Sequence, residues 1–232
     1  MLEKIGPEIW FVDGVIVNFY GFAYPTRSVV VRLAEKKLWV WSSIVLSPEL
    51  KRDIDTLGKV SHLVSPNKIH HLYLGEWRQS YPDALLWGPQ SVVDKRLDLT
   101  FQSALEDWAP QPWSTDIAQF WFRGSSFMDE IVFFHKPSKT VILADLSENF
   151  SERFLQQHWR WWQRPIAKLW KITEGWGYAP LEWRLSFRRR EAARAARDAL
   201  LACDIDKVVM AHGEWQPTDG RAYLERALSW LG

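Results

Sequence analysis

The order of apolar segments predicts an α/β fold (α+β in some schemes), with a β-rich start that gives way to alternating strand and helix, twice over. Three observations predict it. Short apolar runs bounded by turn residues fill Ile9 to Val45. Beyond them, strand-like and helix-like segments alternate at short spacings, which argues for parallel pairing with helices outside. The order then repeats with no Gly/Ser-rich linker between. Residues 1–232 therefore read as one domain of two similar layers, with halves of roughly 8–110 and 111–232.

Each element has its own signal. Ile9–Phe11 and Val15–Phe19 flank Asp13-Gly14, a hairpin turn pair. Val29–Leu33 and Leu38–Ile44 follow across the charged Glu35–Lys37 turn. In the second of these, Leu38 and Val40 share one face while Trp39 and Trp41 share the other. Ser47-Pro48 opens a helix that Gly58 closes. Val60–Val64 reads as a strand, His71–Ser80 as a helix, Ala84–Trp87 as a strand and Gln90–Arg96 as a helix. In the second half Ile117–Phe122, Glu130–Phe134 and Thr140–Ala144 read as strands and Asn149–Trp162 as a helix. Ser186 is expected to cap a helix running to about Ala202. Lys207–Ala211 is a buried strand, and Thr218–Leu231 a closing amphipathic helix.

Composition narrows the classes. With 47% hydrophobic and 25% charged residues, the chain has the globular balance, which excludes disorder, collagen and coiled coil. Twenty-nine basic against twenty-eight acidic residues leave +1, so no global field draws it to nucleic acid, and no such partner is expected. The lone Cys203 excludes an internal disulfide and suits a reducing compartment. The first residues lack the pattern of a signal peptide, and no run approaches the roughly 20 apolar residues of a membrane span. The expectation is a cytoplasmic protein, its oligomeric state open. One feature is unusual: 16 tryptophans, spread from Trp10 to Trp230.

Chemistry gathers after the strands. Ser65–His71, Arg123–Ser126, Asp145–Ser147 and His212–Glu214 each follow a predicted core strand. In helix-covered sheets, ligands bind beyond the carboxyl ends of the strands. His70, His71, Asp145 and His212 are the donor types that hold zinc or iron. The alternative is structural: His70 and His71 bonded to backbone at a helix start, Asp145 an N-cap, His212 a partly buried histidine before a glycine turn. No zinc-finger or His-Glu-x-x-His spacing is present to decide between them.

The layout resembles the metallo-β-lactamase fold, a four-layer αββα sandwich of two βα halves. More closely, it resembles a branch of that superfamily of unknown function with a Pro-Asn…His-His segment. That segment is here Pro66-Asn67-Lys68-Ile69-His70-His71, leading into Leu72–Trp77. Arg27–Trp41, the Pro48–Gly58 helix and Met210-Ala211-His212-Gly213 fit the same branch. The superfamily motif is His-x-His-x-Asp-His, then a distant His, a bridging Asp and a final His. Laid without gaps on this chain, the first cluster falls on Pro66, Lys68, His70 and His71. The distant His falls near Ser125, the bridging Asp on Asp145 and the final His on His212.

The resemblance implies that the first metal position, with Pro66, Lys68 and Ser125, has lost its ligands. It implies that the second, with His70, His71, Asp145 and His212, holds one divalent metal, zinc first and iron second. His70 stands where the superfamily has Asp and is longer. Either its backbone sits farther from the metal or it turns away, leaving His71, Asp145 and His212. The implied chemistry is metal-bound water attacking an ester, thioester or amide of a small-molecule substrate.

Lys68 and Asp145 are the expected catalytic residues. Lys68 would stand in for the missing cation by orienting a substrate carboxylate or an oxyanion; its alternative is to point to solvent. Asn67, Ser125, Trp159 and Trp162 are the expected substrate contacts, because the insert before the last αβ unit often walls the cleft in this fold. Three readings compete for the Gln157–Arg164 run, with Trp170, Trp176 and Trp183 after it: base stacking, an amphipathic segment at a membrane interface, or an aromatic face packed on the core under Arg and Lys stems. As part of that insert these tryptophans are also the expected cleft wall. Arg188-Arg189-Arg190 read as a solvated helix face rather than a phosphate grip. The expected function is a mononuclear metal-dependent hydrolase. The competing one is a non-catalytic binding module with a Trp-rich cleft.

Overall fold

A computed structural model describes residues 1–232. The β-branched and aromatic runs of the first 64 residues form β1 (Glu3–Gly6), β2 (Ile9–Asp13), β3 (Val17–Phe19), β4 (Phe22–Tyr24), β5 (Arg27–Arg32), β6 (Lys37–Trp41) and, after α1 (Pro48–Leu57), β7 (Lys59–Val64). Then come α2 (Leu74–Ser80), β8 (Leu85–Trp87) and α3 (Gln90–Lys95). A six-stranded sheet has the order β1-β2-β5-β6-β7-β8. Its pairs are antiparallel as far as β6 and parallel from β6 to β8. The change of sense follows from the connections: short turns permit only antiparallel neighbours, and helical crossovers bring the chain back in parallel.

The second half contributes β9 (Ile117–Phe122), β10 (Glu130–His135), β11 (Thr140–Leu143), α4 (Glu152–His158), α5 (Arg164–Trp170), α6 (Leu181–Ser186), α7 (Glu191–Leu201), β12 (Lys207–Met210) and α8 (Gly220–Ala227). Its four-stranded sheet has the order β12-β11-β10-β9, with β11 and β12 parallel.

The two sheets face each other across a core that holds Trp39, Trp41, Phe133, Ile142 and Val209. Alternation along β6 turns Leu38 and Val40 outward, against Leu50 and Ile54 of α1 and Trp77 of α2. On the far side Val132, Val141 and Val208 pack beneath Trp183, Ala193 and Leu224 of the second helical layer. Helix, sheet, sheet, helix is the αββα sandwich.

Three local expectations are corrected. The hairpin expected around Asp13-Gly14 does not form, because β2 pairs with β5, aligning Asp13 with Arg27. The real turn is Tyr20-Gly21, both with positive φ (48° and 89°), which closes the separate β3–β4 ribbon. The helix expected over Asn149–Trp162 stops at His158. Trp159 turns extended, drives its ring under that ribbon among Phe22, Tyr24 and Phe150, and donates from Nε1 to the Ala23 carbonyl at 2.8 Å. Ser186 does not open α7. It ends α6, its hydroxyl donating back to the Trp183 carbonyl at 2.6 Å.

A candidate metal centre at the sheet ends

The loops after β7, β11 and β12 converge at one edge of the sandwich. After β7, the Asn67 side chain forms a local turn: its Oδ1 accepts from the backbone N–H of Ile69 (3.0 Å) and of His70 (3.2 Å). The Ser65 hydroxyl donates to the His70 carbonyl at 2.7 Å. This brace presents the His70 ring to the interior, stacked on Trp41 with 6.1 Å between centroids. Asp145 follows β11. His212 follows β12, on a loop clamped by buried Arg27, which donates to the carbonyls of Met210 (2.9 Å) and Gly213 (3.0 Å).

These three side chains meet. His70 Nε2 lies 3.1 Å from Asp145 Oδ2, and His212 Nε2 lies 3.3 Å from Asp145 Oδ1. One donor atom from each lies within 4.8 Å of the others. The far ring nitrogens are held: His212 Nδ1 by the Pro25 carbonyl at 2.7 Å, and His70 Nδ1 by the Ser42 hydroxyl at 2.8 Å. A carbonyl only accepts, so His212 carries its proton on Nδ1 and a neutral ring would aim a bare lone pair at a carboxylate oxygen. Two acceptors face to face need a cation between them, either a proton or a metal ion. The residues present fit a metal. Two imidazoles oriented by their outer nitrogens plus one carboxylate make a donor set suited to zinc or iron, with room for a further ligand.

Beneath the centre lies a second carboxylate. Glu130, at the head of β10, is fully buried and accepts from the backbone N–H of Ala144 and Asp145, each at 2.8 Å. Asn67 Nδ2 donates both to Glu130 Oε2 (2.9 Å) and to Asp145 Oδ2 (2.7 Å). Burial and the neighbouring Asp145 push the Glu130 carboxyl up to about 7. Burial also acts to raise Asp145, but the imidazoles of His70 and His212 outweigh it and hold that carboxyl well below the usual range.

The centre forms the floor of a cavity of 410 Å³. Its walls include Phe19 and Tyr24 from the β3–β4 ribbon, Tyr73, Phe127 and Trp183, and two further carboxyl groups, Glu148 and Glu182. Burial, with Asp145 and Glu182 nearby, raises the Glu148 carboxyl well above its ordinary value.

The remaining sequence-expected residues stand elsewhere. His71 is outside the cluster: it turns towards Arg96, whose guanidinium donates to the His71 carbonyl at 2.8 Å. Burial and the charges of Lys95 and Arg96 push the His71 ring down to about 4. Of the two outcomes expected for the longer His70, turning away does not occur: His70 turns in, and His71 turns out. Lys68 does not reach the centre; its ammonium donates to the Phe127 carbonyl and lies 4.6 Å above the Phe127 ring. Asn67 is fully buried behind Asp145, where it positions the carboxylate and does not line this cavity. Ser125 pairs with the Ser186 hydroxyl at 2.7 Å and caps the turn at Phe127 and Met128. Trp159 is buried beneath the ribbon, and Trp162 stands 47% exposed away from the cavity lining. Of the expected tryptophan wall, Trp183 alone lines the cavity. Among the arginines, Arg190 is spent on the Trp230 carbonyl at 3.0 Å.

Four contributors were not read from sequence. Glu130 had a signal, a carboxylate heading an otherwise apolar strand, which burial permits only with partners. Glu148, Ser42 and Tyr24 had none, since loops that meet only in the fold bring them there.

Comparison with known proteins gives this geometry a setting. The family described as "Domain of unknown function (DUF4336)" matches residues 7–157, well over half the chain. The chain belongs to this family. No curated protein matches this DUF4336 chain. Among solved structures it is similar to DIM-1 metallo-β-lactamase exposed to ceftazidime, at 14% identity and TM-score 0.65, covering 100% of this chain and 95% of that one. It is similar also to a metallo-β-lactamase from Pontibacter korlensis, at 13% identity and TM-score 0.63, covering 100% and 98%. A third, from Hirschia baltica, gives 11% identity and TM-score 0.63, covering 100% and 97%. At such identities the likeness establishes the fold alone: this DUF4336 protein has the metallo-β-lactamase fold. No helix in it is long and apolar enough to cross a membrane.

Proposed function

We propose that this DUF4336 protein is a metal-dependent hydrolase with a single ion, held by His70, Asp145 and His212, acting on an ester, thioester or amide of a small molecule. One observation carries the reading: two imidazoles, each fixed at its outer nitrogen, aim Nε2 at the two oxygens of one buried carboxylate on the floor of a cavity. When bound, the ion supplies Lewis acidity to a substrate carbonyl and makes water a stronger nucleophile. Zinc suits the donor set first and iron second. The chain's own residues do the rest. Asn67 and Glu130 hold Asp145 against the two rings, Ser42 and Pro25 fix the ring planes, and the apolar walls seat substrate and exclude water. The free Cys203 supports a reducing compartment such as the cytoplasm.

Elemental analysis of protein purified without a polyhistidine tag and incubated with zinc, iron or manganese tests the proposal. One equivalent of metal is expected, abolished in Asp145→Ala and His212→Ala. Absence of metal from the unsubstituted chain under all three conditions overturns it.

A further inference from the structure

The cavity over His70, Asp145 and His212 has a charge pattern of its own. Three carboxyl groups line it, from Asp145, Glu148 and Glu182, and no lysine or arginine does. Cations beside the lining residues are engaged elsewhere. Lys68 is bound to the Phe127 carbonyl, and Arg184 donates to the carbonyls of Ala179 (2.9 Å) and Trp170 (2.7 Å). Asp145 has its partners in Asn67, His70 and His212. Glu148 does not. It is 1% exposed, its Oε2 receives one long contact from the Tyr24 hydroxyl at 3.4 Å, and its Oε1 has no hydrogen bond. Glu182 stands at the rim in the first turn of α6, without an ion pair.

The open oxygen belongs to a residue of the cavity lining, so an occupant of the cavity can complete it with a donor or a cation. Around it are Phe19, Tyr24, Phe127 and Trp183, ring systems whose faces attract cations. The mouth is apolar as well, with Tyr20 87% and Leu72 61% exposed. Apart from the ion proposed at the floor, a ligand carboxylate would find no cation here, only the carboxyl groups of Asp145, Glu148 and Glu182. We propose that the cavity takes a molecule with an apolar body and a cationic amine, the ammonium seated against Glu148 and Glu182 and the body against Phe19, Phe127 and Trp183. This deepens the hydrolase reading, resting on it only in taking the cavity as the substrate's. It also reverses the sequence expectation that Lys68 orients a substrate carboxylate.

Calorimetric titration of the full chain at neutral pH with benzylammonium, benzyl alcohol and benzoate tests it. Benzylammonium is expected to bind about tenfold more tightly than benzyl alcohol, with benzoate weakest. The double variant Glu148→Gln/Glu182→Gln is expected to lose the ammonium advantage while keeping its affinity for the alcohol, which separates lost charge recognition from lost fold. Benzoate binding as tightly as benzylammonium overturns the proposal, as does failure of all three to bind, or an ammonium preference that survives in the double variant. Metal content measured on the same samples reports on the His70–Asp145–His212 reading separately, so either idea fails alone.

Discussion

A single amide nitrogen, Nδ2 of Asn67, bridges two buried carboxyl groups, Oδ2 of Asp145 at 2.7 Å and Oε2 of Glu130 at 2.9 Å. Its carbonyl oxygen meanwhile shapes the turn that presents His70. One side chain therefore sets the position of two proposed ligands, and it is fully buried.

Asn67→Ala removes both services at once. Affinity for zinc is expected to fall about 10- to 100-fold, the usual effect of losing a group that orients a metal ligand. Stability is expected to fall by about 1–3 kcal/mol, because two buried carboxyls lose a donor. Zinc titration with urea unfolding on the same variant reads both.

His70 and His71 are neighbours with opposite fates, and alanine substitution separates them. His70→Ala is expected to remove metal, since its Nε2 faces Asp145 at 3.1 Å. His71→Ala is expected to retain one equivalent, because that ring is turned to Arg96. Metal loss in His71→Ala with retention in His70→Ala would show that the superfamily alignment, and not the side-chain geometry, identifies the ligands.

Acid should destabilise the first-half core through His62. This ring is buried, and its Nδ1 accepts from Trp87 Nε1 at 3.2 Å, an acceptance that protonation destroys. Burial and the charge of Lys37 push it from an ordinary 6.5 down to about 4. The unfolded chain therefore binds more protons than the folded one between those values, so stability rises with pH across the window and drains away as pH falls through it. The loss attributable to this ring is on the order of 1–3 kcal/mol. Urea midpoints measured across that range should show a shallower slope in His62→Gln. The buried His135, also pushed down to about 4 by burial, keeps part of the slope in the variant.

Two glycines with positive φ make a matched backbone test. Gly213, next to His212, has φ of +94°, and a Cβ there would stand 2.2 Å from the Asn149 carbonyl oxygen. Gly175 has φ of +87° with nothing within 4 Å. Gly175→Ala is expected to cost only the left-handed strain, about 1 kcal/mol. Gly213→Ala is expected to cost more than about 2 kcal/mol and to weaken zinc binding, since the clash displaces the loop that carries His212. Thermal unfolding and metal titration of the pair separate the two effects.

Much of the architecture was legible because burial writes itself into periodicity. Leu38 and Val40 against Trp39 and Trp41 gave both faces of a central strand, and the apolar runs at Ile117–Phe122 and Glu130–Phe134 lie on β9 and β10. Boundaries failed where tertiary packing overrode local signals. Asp13-Gly14 is a good turn pair, yet β2 gains more by pairing with β5 along five residues. The Asn149–Trp162 pattern is helical, yet Trp159 has a deeper place beneath the β3–β4 ribbon than a further helical turn would give it.

The site divides the same way. Sequence alone placed His70, His71, Asp145 and His212 after strand ends, because strand, turn and ligand chemistry are local properties. Side-chain direction is not local. Whether His70 or His71 faces Asp145 depends on an Asn67 turn braced from across the sandwich by Glu130, and on a Ser42 hydroxyl 28 residues away. The cavity's charge was invisible for the same reason. Glu148, Glu182 and Tyr24 come from three distant segments, and only closure of the fold, with Lys68 turned onto the Phe127 carbonyl, leaves their carboxyls and rings facing one space without a lysine or arginine.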